Sequence, residues 1–308
     1  MEKPPKISVI MSAYNAEQYI SEAIESILNQ TFSDFEFIII NDGSTDNTAG
    51  VIKSFKDERI VFVDSLKNIG MISALNKALD SARGEYIARM DADDISLPER
   101  FARQLEFMDT NPDVGVLGAQ MQTFGLKNWI SNYPEQVSYF DLVCSCCMSH
   151  PTAMFRSSVF NKYNLRYAHG YEAAEDYEFW SRIIRDTKIC NLPEVLLKYR
   201  WHGNNISVEK KELQQEADRR IKNNMLEFLT NEPWRDKTLK FVKKYKDKVT
   251  TLSFDFLKIK RSYGNQWSKW RLYVCYLPLI TIVSKAGKTT FKFLGIPVFV
   301  SKRNFTFL

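Results

Sequence analysis

Three carboxylates within four residues, Asp91, Asp93 and Asp94, follow an apolar run at 86–90 and so stand where a buried strand should end. In an α/β sheet, ligands collect beyond the carboxyl ends of parallel strands, and crowded oxygen donors there suit a hard divalent cation holding a diphosphate. Taken alone, a D-x-D fits equally well a solvated acidic turn or a helix cap ahead of Pro98. Here it has company. Residues 7–13 read as a buried strand running into Tyr14 and Asn15, and 35–40 as a second strand ending in the polar turn 41–46. Three strand ends thus carry turn-forming polar residues.

Other residues offer complementary chemistry. The Asp42 carboxylate only accepts hydrogen bonds, so it could take the imide N–H of a uracil, or simply form a turn with Gly43. Arg89 lies inside a strand, and a buried guanidinium needs an anion, either a diphosphate or one of the aspartates. Glu175 and Asp176 open a helix whose dipole favours ionised carboxylates, a role that is also purely structural in many helices. Of the three histidines, His202 precedes a flexible polar segment able to present imidazole to a metal or diphosphate, and His150 stands before Pro151.

The elements that would hold these groups alternate along the chain. Strands are expected at 7–13, 35–40, 60–64 and 86–90, with helices at about 16–29, 46–55 and 71–82 between them. Repeated βαβ units imply a parallel sheet with right-handed crossovers. Ile20, Ala23, Ile24, Ile27 and Leu28 recur at helical spacing and belong to the core. A helix opening at Pro98 and stopping near Asn111 follows, then strands at 114–121 and 152–155, a helix at 175–185 and a strand near 195–199.

The ordered set Ser12-Ala13-Tyr14-Asn15, Asn41-Asp42-Gly43-Ser44-Thr45-Asp46, Asn68-Ile69-Gly70, Asp91-Ala92-Asp93-Asp94, Glu175-Asp176-Tyr177-Glu178-Phe179-Trp180 and Tyr199-Arg200-Trp201-His202 resembles the family 2 glycosyltransferases of GT-A fold. It covers roughly residues 5–207. The resemblance implies a Rossmann-like α/β, mostly parallel sheet flanked by helices, and an inverting, metal-dependent enzyme using a UDP-sugar. It implies nucleotide contacts from Ala13, Tyr14, Asn15, Asp42, Asn68, Asn76, Arg89, Asp91 and Ala92, and Mn²⁺ or Mg²⁺ held by Asp93 and Asp91 with help from His202. Asp176 becomes the general base with Glu175 beside it, and His150 and Asp94 fall on the acceptor side. Bacterial surface polysaccharide or lipopolysaccharide synthesis on a lipid-linked or oligosaccharide acceptor is the implied setting.

Composition separates the chain into two parts. The net charge of +5 conceals 17 Lys or Arg against 4 Asp or Glu in residues 231–308, leaving 25 against 33 before them. Aromatic and aliphatic residues interleave with that basic tail, and its longest nearly apolar stretch, 272–283, is too short to span a bilayer as one helix. The expected organisation is a catalytic domain over 1–225 and a helical, basic, amphipathic region over 226–308 that attaches to an anionic membrane surface. Ordinary packing against the catalytic domain is the alternative.

No apolar signal region opens the chain, which points to the cytosolic face of the inner membrane. Five cysteines suit that compartment, with Cys144 and Cys147 expected to be buried thiols. No reader motif accompanies the basic tail, so nucleic acid is not an expected partner. A sugar-nucleotide nucleotidyltransferase would carry a glycine-rich loop where Ser12-Ala13-Tyr14-Asn15 stands, and a non-catalytic relative would have no need of Asp93 and Asp176 together. Neither G-x-G-x-x-G nor G-x-S-x-G occurs, which disfavours dinucleotide and esterase chemistry.

Overall fold

The structure is a computed structural model that describes residues 3–203 and 205–231, together with strand segments between 251 and 298. The chain divides into two compact units, one of Met1–Val137 with Cys146–Ile221 and one of Ser138–Ser145 with Lys222–Leu308.

The first unit is built on a nine-stranded sheet. Its strands are β1 (Ile7–Ala13), β2 (Phe35–Asn41), β3 (Ile60–Asp64), β4 (Tyr86–Arg89), β5 (Ile95–Ser96), β6 (Val114–Gly125), β7 (Gln136–Val137), β8 (Met154–Arg156) and β9 (Lys188–Trp201). The spatial order is β3-β2-β1-β4-β8-β6-β9-β5, with β7 also pairing with β9. β1 to β4 are parallel, β6 is parallel to β9, and β8 runs antiparallel to both β4 and β6. The expected mostly parallel α/β sheet is therefore present, with an antiparallel strand inserted beside β4.

The first half forms as its sequence dictates. β1 and β2 are buried almost throughout, as strands covered on both faces are, and their polar interruptions Ser8 and Glu36 satisfy each other, the Ser8 hydroxyl donating to Glu36 Oε1 at 2.6 Å. The intervening helices are α1 (Ile20–Leu28), α2 (Thr48–Ser54) and α3 (Met71–Ser81). α1 starts four residues later than expected, because a neighbouring loop takes the amides before it: Ala16 N–H donates to Thr48 Oγ1 at 2.8 Å and Glu17 N–H to Asp46 Oδ2 at 3.1 Å. Asp46 also accepts the Thr48 N–H at 3.0 Å, so it organises the start of α2. Helix α4 (Arg100–Thr110) sends Phe101, Leu105 and Met108 into the core, where the Phe101 ring meets Phe35 edge-on at 5.7 Å.

Later elements include α5 (Tyr139–Cys144), a 3-10 turn at His150–Thr152, α6 (Ser157–Tyr163), α7 (Glu175–Ile183), α8 (Ile206–Glu209) and α9 (Lys211–Asn231). An aromatic cluster of Phe155, Phe160, Phe179 and Trp180 fixes α7 against β8. β6 and β9 are longer than their sequence signals, because they pair with each other along their whole length, carrying polar residues such as Gln122, Thr123 and Asn191 that break the apolar pattern.

Two expectations are corrected. Among the described residues beyond 225, those to Asn231 are helical. The described residues from 251 onward form an antiparallel meander, β10 (Thr251–Ser253), β11 (Leu257–Gly264), β12 (Trp267–Val274), β13 (Leu277–Lys285), β14 (Lys288–Phe293) and β15 (Ile296–Val298). The apolar stretch 272–283 is accordingly divided between β12 and β13, with Leu272 opposite Ile280. Its β-branched and aromatic residues favour a pleated strand. Secondly, Cys144 is disulfide-bonded, whereas Cys147 is the buried thiol expected. No helix among the described residues is long and apolar enough to cross a membrane.

Candidate active site

At the ends of β1 and β2 the chain is held by a dense set of side-chain-to-backbone bonds. Asn15 adopts φ +49°, a left-handed conformation that asparagine tolerates better than most residues. Its side-chain oxygen accepts the Thr45 N–H at 2.9 Å, while its own N–H donates to Ser44 Oγ at 3.0 Å. Asn41 Oδ1 accepts the Ser44 hydroxyl at 2.6 Å, and the Asp42 N–H donates to Ala13 O at 2.8 Å. Asp42 is buried, and its Oδ1 accepts the Ile69 N–H at 2.7 Å, tying the β2 end to the loop before α3. Gly43, at φ +68°, lies so close to Lys67 and Asn68 that a Cβ would sit 2.3 Å from the Lys67 carbonyl carbon. Tyr14 is half-exposed beside this pocket edge.

Two residues proposed as nucleotide contacts are engaged in the scaffold. Asn68 Oδ1 accepts the Gly70 N–H at 3.0 Å. Asn76 uses both ends of its amide on Tyr167, donating to its carbonyl at 3.0 Å and accepting its N–H at 2.9 Å. Such an amide positions the Tyr167 segment.

Asp91, Asp93 and Asp94 converge, each offering an oxygen within 4.8 Å of the others. Ala92 between them is buried. Burial and the charges of Asp93 and Asp91 push the Asp94 carboxyl well above its ordinary value. Burial also raises Asp91, with Asp93 adding to it, against the pull of its ion-pair partner Arg89. Asp94 Oδ1 accepts the Arg200 N–H at 2.8 Å, but its buried Oδ2 has no hydrogen-bond partner. Asp93 Oδ2 faces His202 Nε2 at 3.0 Å, and His202 stacks on Tyr19 at 5.2 Å between ring centres. Mutual repulsion, an orphaned oxygen and an adjacent imidazole fit a divalent cation with mainly oxygen donors, Mg²⁺ or Mn²⁺.

A second acidic group lies on α7. Burial, reinforced by Asp176, pushes the Glu175 carboxyl up to about 8, and its buried Oε2 has no hydrogen-bond partner. Burial likewise pushes Asp176 up to about 6. Asp176 Oδ1 accepts the Tyr177 N–H at 2.7 Å, and Oδ2 faces the Cys146 thiol at 3.9 Å. Just before this pair, Ala173 holds φ +71°, strain stored where the acids are aimed. His150 is buried and so disfavours its proton, with Nδ1 3.8 Å from Glu175 and Nε2 2.8 Å from the Tyr167 hydroxyl.

Arg89 joins the two acidic groups. It is buried and paired to Asp91, and its charge and that of Asp91 both act on Asp176. Sequence reasoning missed Arg100, Tyr167 and Arg200 as parts of this arrangement. Arg100 donates to Arg89 O at 2.7 Å, and burial beside Arg89 pulls its guanidinium down to about 9. Its signal was a polar pair, Arg100 and Gln104, at i and i+4 on an otherwise apolar helix face. Arg200 also donates from Nε to Asp93 O at 2.8 Å, and Tyr19 and Phe124 sandwich its guanidinium at 4.6 and 4.5 Å. Nothing in its local sequence separates Tyr167 from the other tyrosines.

An α/β sheet whose parallel strands end in clustered carboxylates is the layout of an enzyme that handles a phosphorylated ligand. The description "Glycosyl transferase family 2" matches residues 8–167, and the chain belongs to that glycosyltransferase family. It is 35% identical over 251 residues to an uncharacterised glycosyltransferase of Haemophilus influenzae, covering 75% of this chain and 76% of that one. It is 30% identical over 217 residues to the Escherichia coli UDP-Glc:alpha-D-GlcNAc-diphosphoundecaprenol beta-1,3-glucosyltransferase WfgD, covering 69% and 84%. The S. aureus TarS 1–349 crystal structure in complex with UDP-GlcNAc shares the fold at a TM-score of 0.58 and 22% identity, covering 65% of this chain and 60% of that one. The chain is thus a GT-A enzyme that transfers a glycosyl group.

Proposed function

We propose that the chain transfers a hexose or N-acetylhexosamine from a UDP-sugar, with inversion, to a hydroxyl of a lipid-linked saccharide during surface polysaccharide assembly at the cytosolic face of the membrane. The observation that carries the reading is the meeting, around one buried arginine, of an acidic triad at the strand ends with an acid pair on α7. The donor class and acceptor class rest on the similarity to the E. coli glucosyltransferase WfgD. In this reading 1–225 is the catalytic domain and 226–308 an accessory region that associates with membrane.

The Asp42 carboxylate reads the uracil imide, and the half-exposed Tyr14 covers the base, on a floor fixed by Ala13 and Asn15. Asp93, Asp91 and His202 hold the cation, which when bound neutralises the departing diphosphate. Asp176 removes the acceptor proton through Oδ2, since Oδ1 is occupied by the Tyr177 N–H. The acceptor oxygen then bonds to the anomeric carbon while that carbon's bond to the phosphate oxygen breaks, and UDP leaves with the electron pair. One base opposite the leaving group gives a single displacement and inversion. Glu175, protonated at neutral pH, donates a hydrogen bond rather than accepting the proton, and with His150 it lines the acceptor side.

UDP release from a panel of UDP-hexoses and UDP-N-acetylhexosamines, with Mn²⁺ or EDTA and diphospholipid-linked saccharide acceptors, tests this. Metal-dependent release from one donor is expected. Pyrophosphate release from UTP and a sugar phosphate would instead make the chain a nucleotidyltransferase, and UDP binding without turnover on any acceptor would favour a binding protein.

A further inference from the structure

Beside the catalytic edge, one surface element combines a locked backbone with an apolar tip. β6 ends at Gly125, whose φ of +90° and close approach to Trp201 O turn the chain back on itself. The returning segment is tied back to β6: Thr123 N–H donates to Trp129 O at 2.9 Å, Trp129 N–H to Thr123 Oγ1 at 2.8 Å, and Ser131 N–H to Met121 O at 2.9 Å, with a single bridge pairing Gln122 and Ile130. Leu126 N–H donates to Trp201 O at 3.0 Å, anchoring the tip to the end of β9. Yet Leu126 is 74% exposed, Trp129 41% and Ile130 59%.

Large apolar side chains held outward by a rigid hairpin cost solvation without contributing to the core, a combination that marks an interaction surface. The local charge selects the partner. Residues 114–134 contain no acid and one lysine, Lys127, whose ammonium lies 3.8 Å over the Trp201 ring. Lys198 is close by on β9, in register with Gln122. A tryptophan and two aliphatic side chains flanked by lysines match the boundary between headgroups and acyl chains of an anionic bilayer. Location agrees. Trp201, which holds the tip, directly precedes His202, whose imidazole meets Asp93.

We propose that the hairpin tip at 126–130 enters the interface of an anionic membrane and holds the catalytic edge where a lipid-linked acceptor presents its sugar. It rests on the acceptor reading above, because a polyprenyl chain stays in the bilayer while its saccharide must reach Asp176. It does not involve the basic C-terminal region.

The test uses the full chain with phosphatidylethanolamine–phosphatidylglycerol vesicles, comparing wild type with the triple variant Leu126→Ser/Trp129→Ser/Ile130→Ser and with Lys127→Glu. Flotation should fall by on the order of tenfold or more in the triple variant, and less in Lys127→Glu. Turnover of a short-chain, water-soluble acceptor should be unchanged in both, which separates this surface from the catalytic reading. Quenching of tryptophan fluorescence by brominated lipid should lose amplitude in Trp129→Phe. Undiminished flotation of the triple variant, unchanged quenching in Trp129→Phe, or no flotation of the wild type would overturn the proposal. Flotation that depends on the tip, without turnover of any diphospholipid acceptor, would sustain it and sink the acceptor reading instead.

Discussion

The strand ends of β1 and β2 and the acid pair on α7 treat polar groups in opposite ways. At the β1 and β2 ends, Asn15, Asn41 and Asp42 accept hydrogen bonds from neighbouring backbone or hydroxyl groups in the apo chain. At α7, Glu175 is buried with an oxygen that has no partner, and both acids are held above their ordinary values. The acidic triad lies between these extremes, with Asp93 paired to His202 and Asp94 half-satisfied. A pre-tied loop binds without having to order itself, whereas a desolvated carboxylate is a stronger proton acceptor than one in water. In the proposed mechanism the first region binds and the second does the chemistry.

The sharpest break in that comparison is Asp176→Asn. Transfer should fall by about 10²–10⁴-fold, the range for loss of a positioned base, with UDP affinity measured by calorimetry unchanged. A parallel loss of UDP affinity would erase the distinction between the two regions. Asp93→Ala should lower transfer by on the order of 10²-fold and weaken Mn²⁺ binding in titrations with UDP present. Rates insensitive to both this substitution and EDTA would remove the triad from the mechanism.

The acid pair also predicts two pH dependences. With Asp176 as the base of the proposed mechanism, kcat should rise with pH through about 6 and then level. For stability, Glu175 binds its proton more tightly folded than unfolded, so its contribution is fully present below 4.5 and lost as pH rises through about 8. Melting temperatures should therefore decline across that window in the wild type, and Glu175→Gln should flatten the decline. An identical slope in the variant would mean that Glu175 is ionised as readily in the fold as in water.

The smallest effect concerns strain. Ala173→Gly should raise stability by up to about 1 kcal/mol, since a Cβ at φ +71° is penalised, and lower kcat modestly by loosening the aim of Asp176. Denaturant midpoints and initial rates measure the two together. A more stable and equally active variant would show that the strain has no catalytic role.

How far the sequence could be read follows the same division. β1, β3 and the core face of α1 lie where periodicity places them, because each is defined by local apolar spacing against a sheet. The triad was legible for a related reason: Asp91, Asp93 and Asp94 are neighbours in the chain, and a strand end delivers them together. Asn76 was legible as polar but not as a scaffold bond, since its partner Tyr167 lies far along the chain. The basic tail was legible as charge, while its hairpins were hidden because aromatic and β-branched residues spaced through lysines suit an amphipathic helix nearly as well as a strand.

By itself, then, the sequence determined the βαβ alternation, the polar strand ends and the local acidic clusters, all products of neighbours within a few residues. Tertiary structure alone decided that Arg89 pairs with Asp91 while its charge acts on Asp176, that Arg100 donates to the Arg89 carbonyl from a helix, and that His202 meets Asp93. It also decided that Leu126, Trp129 and Ile130 face outward together. Those facts depend on burial and on distances between residues remote in sequence, which exist only once the chain has closed on itself.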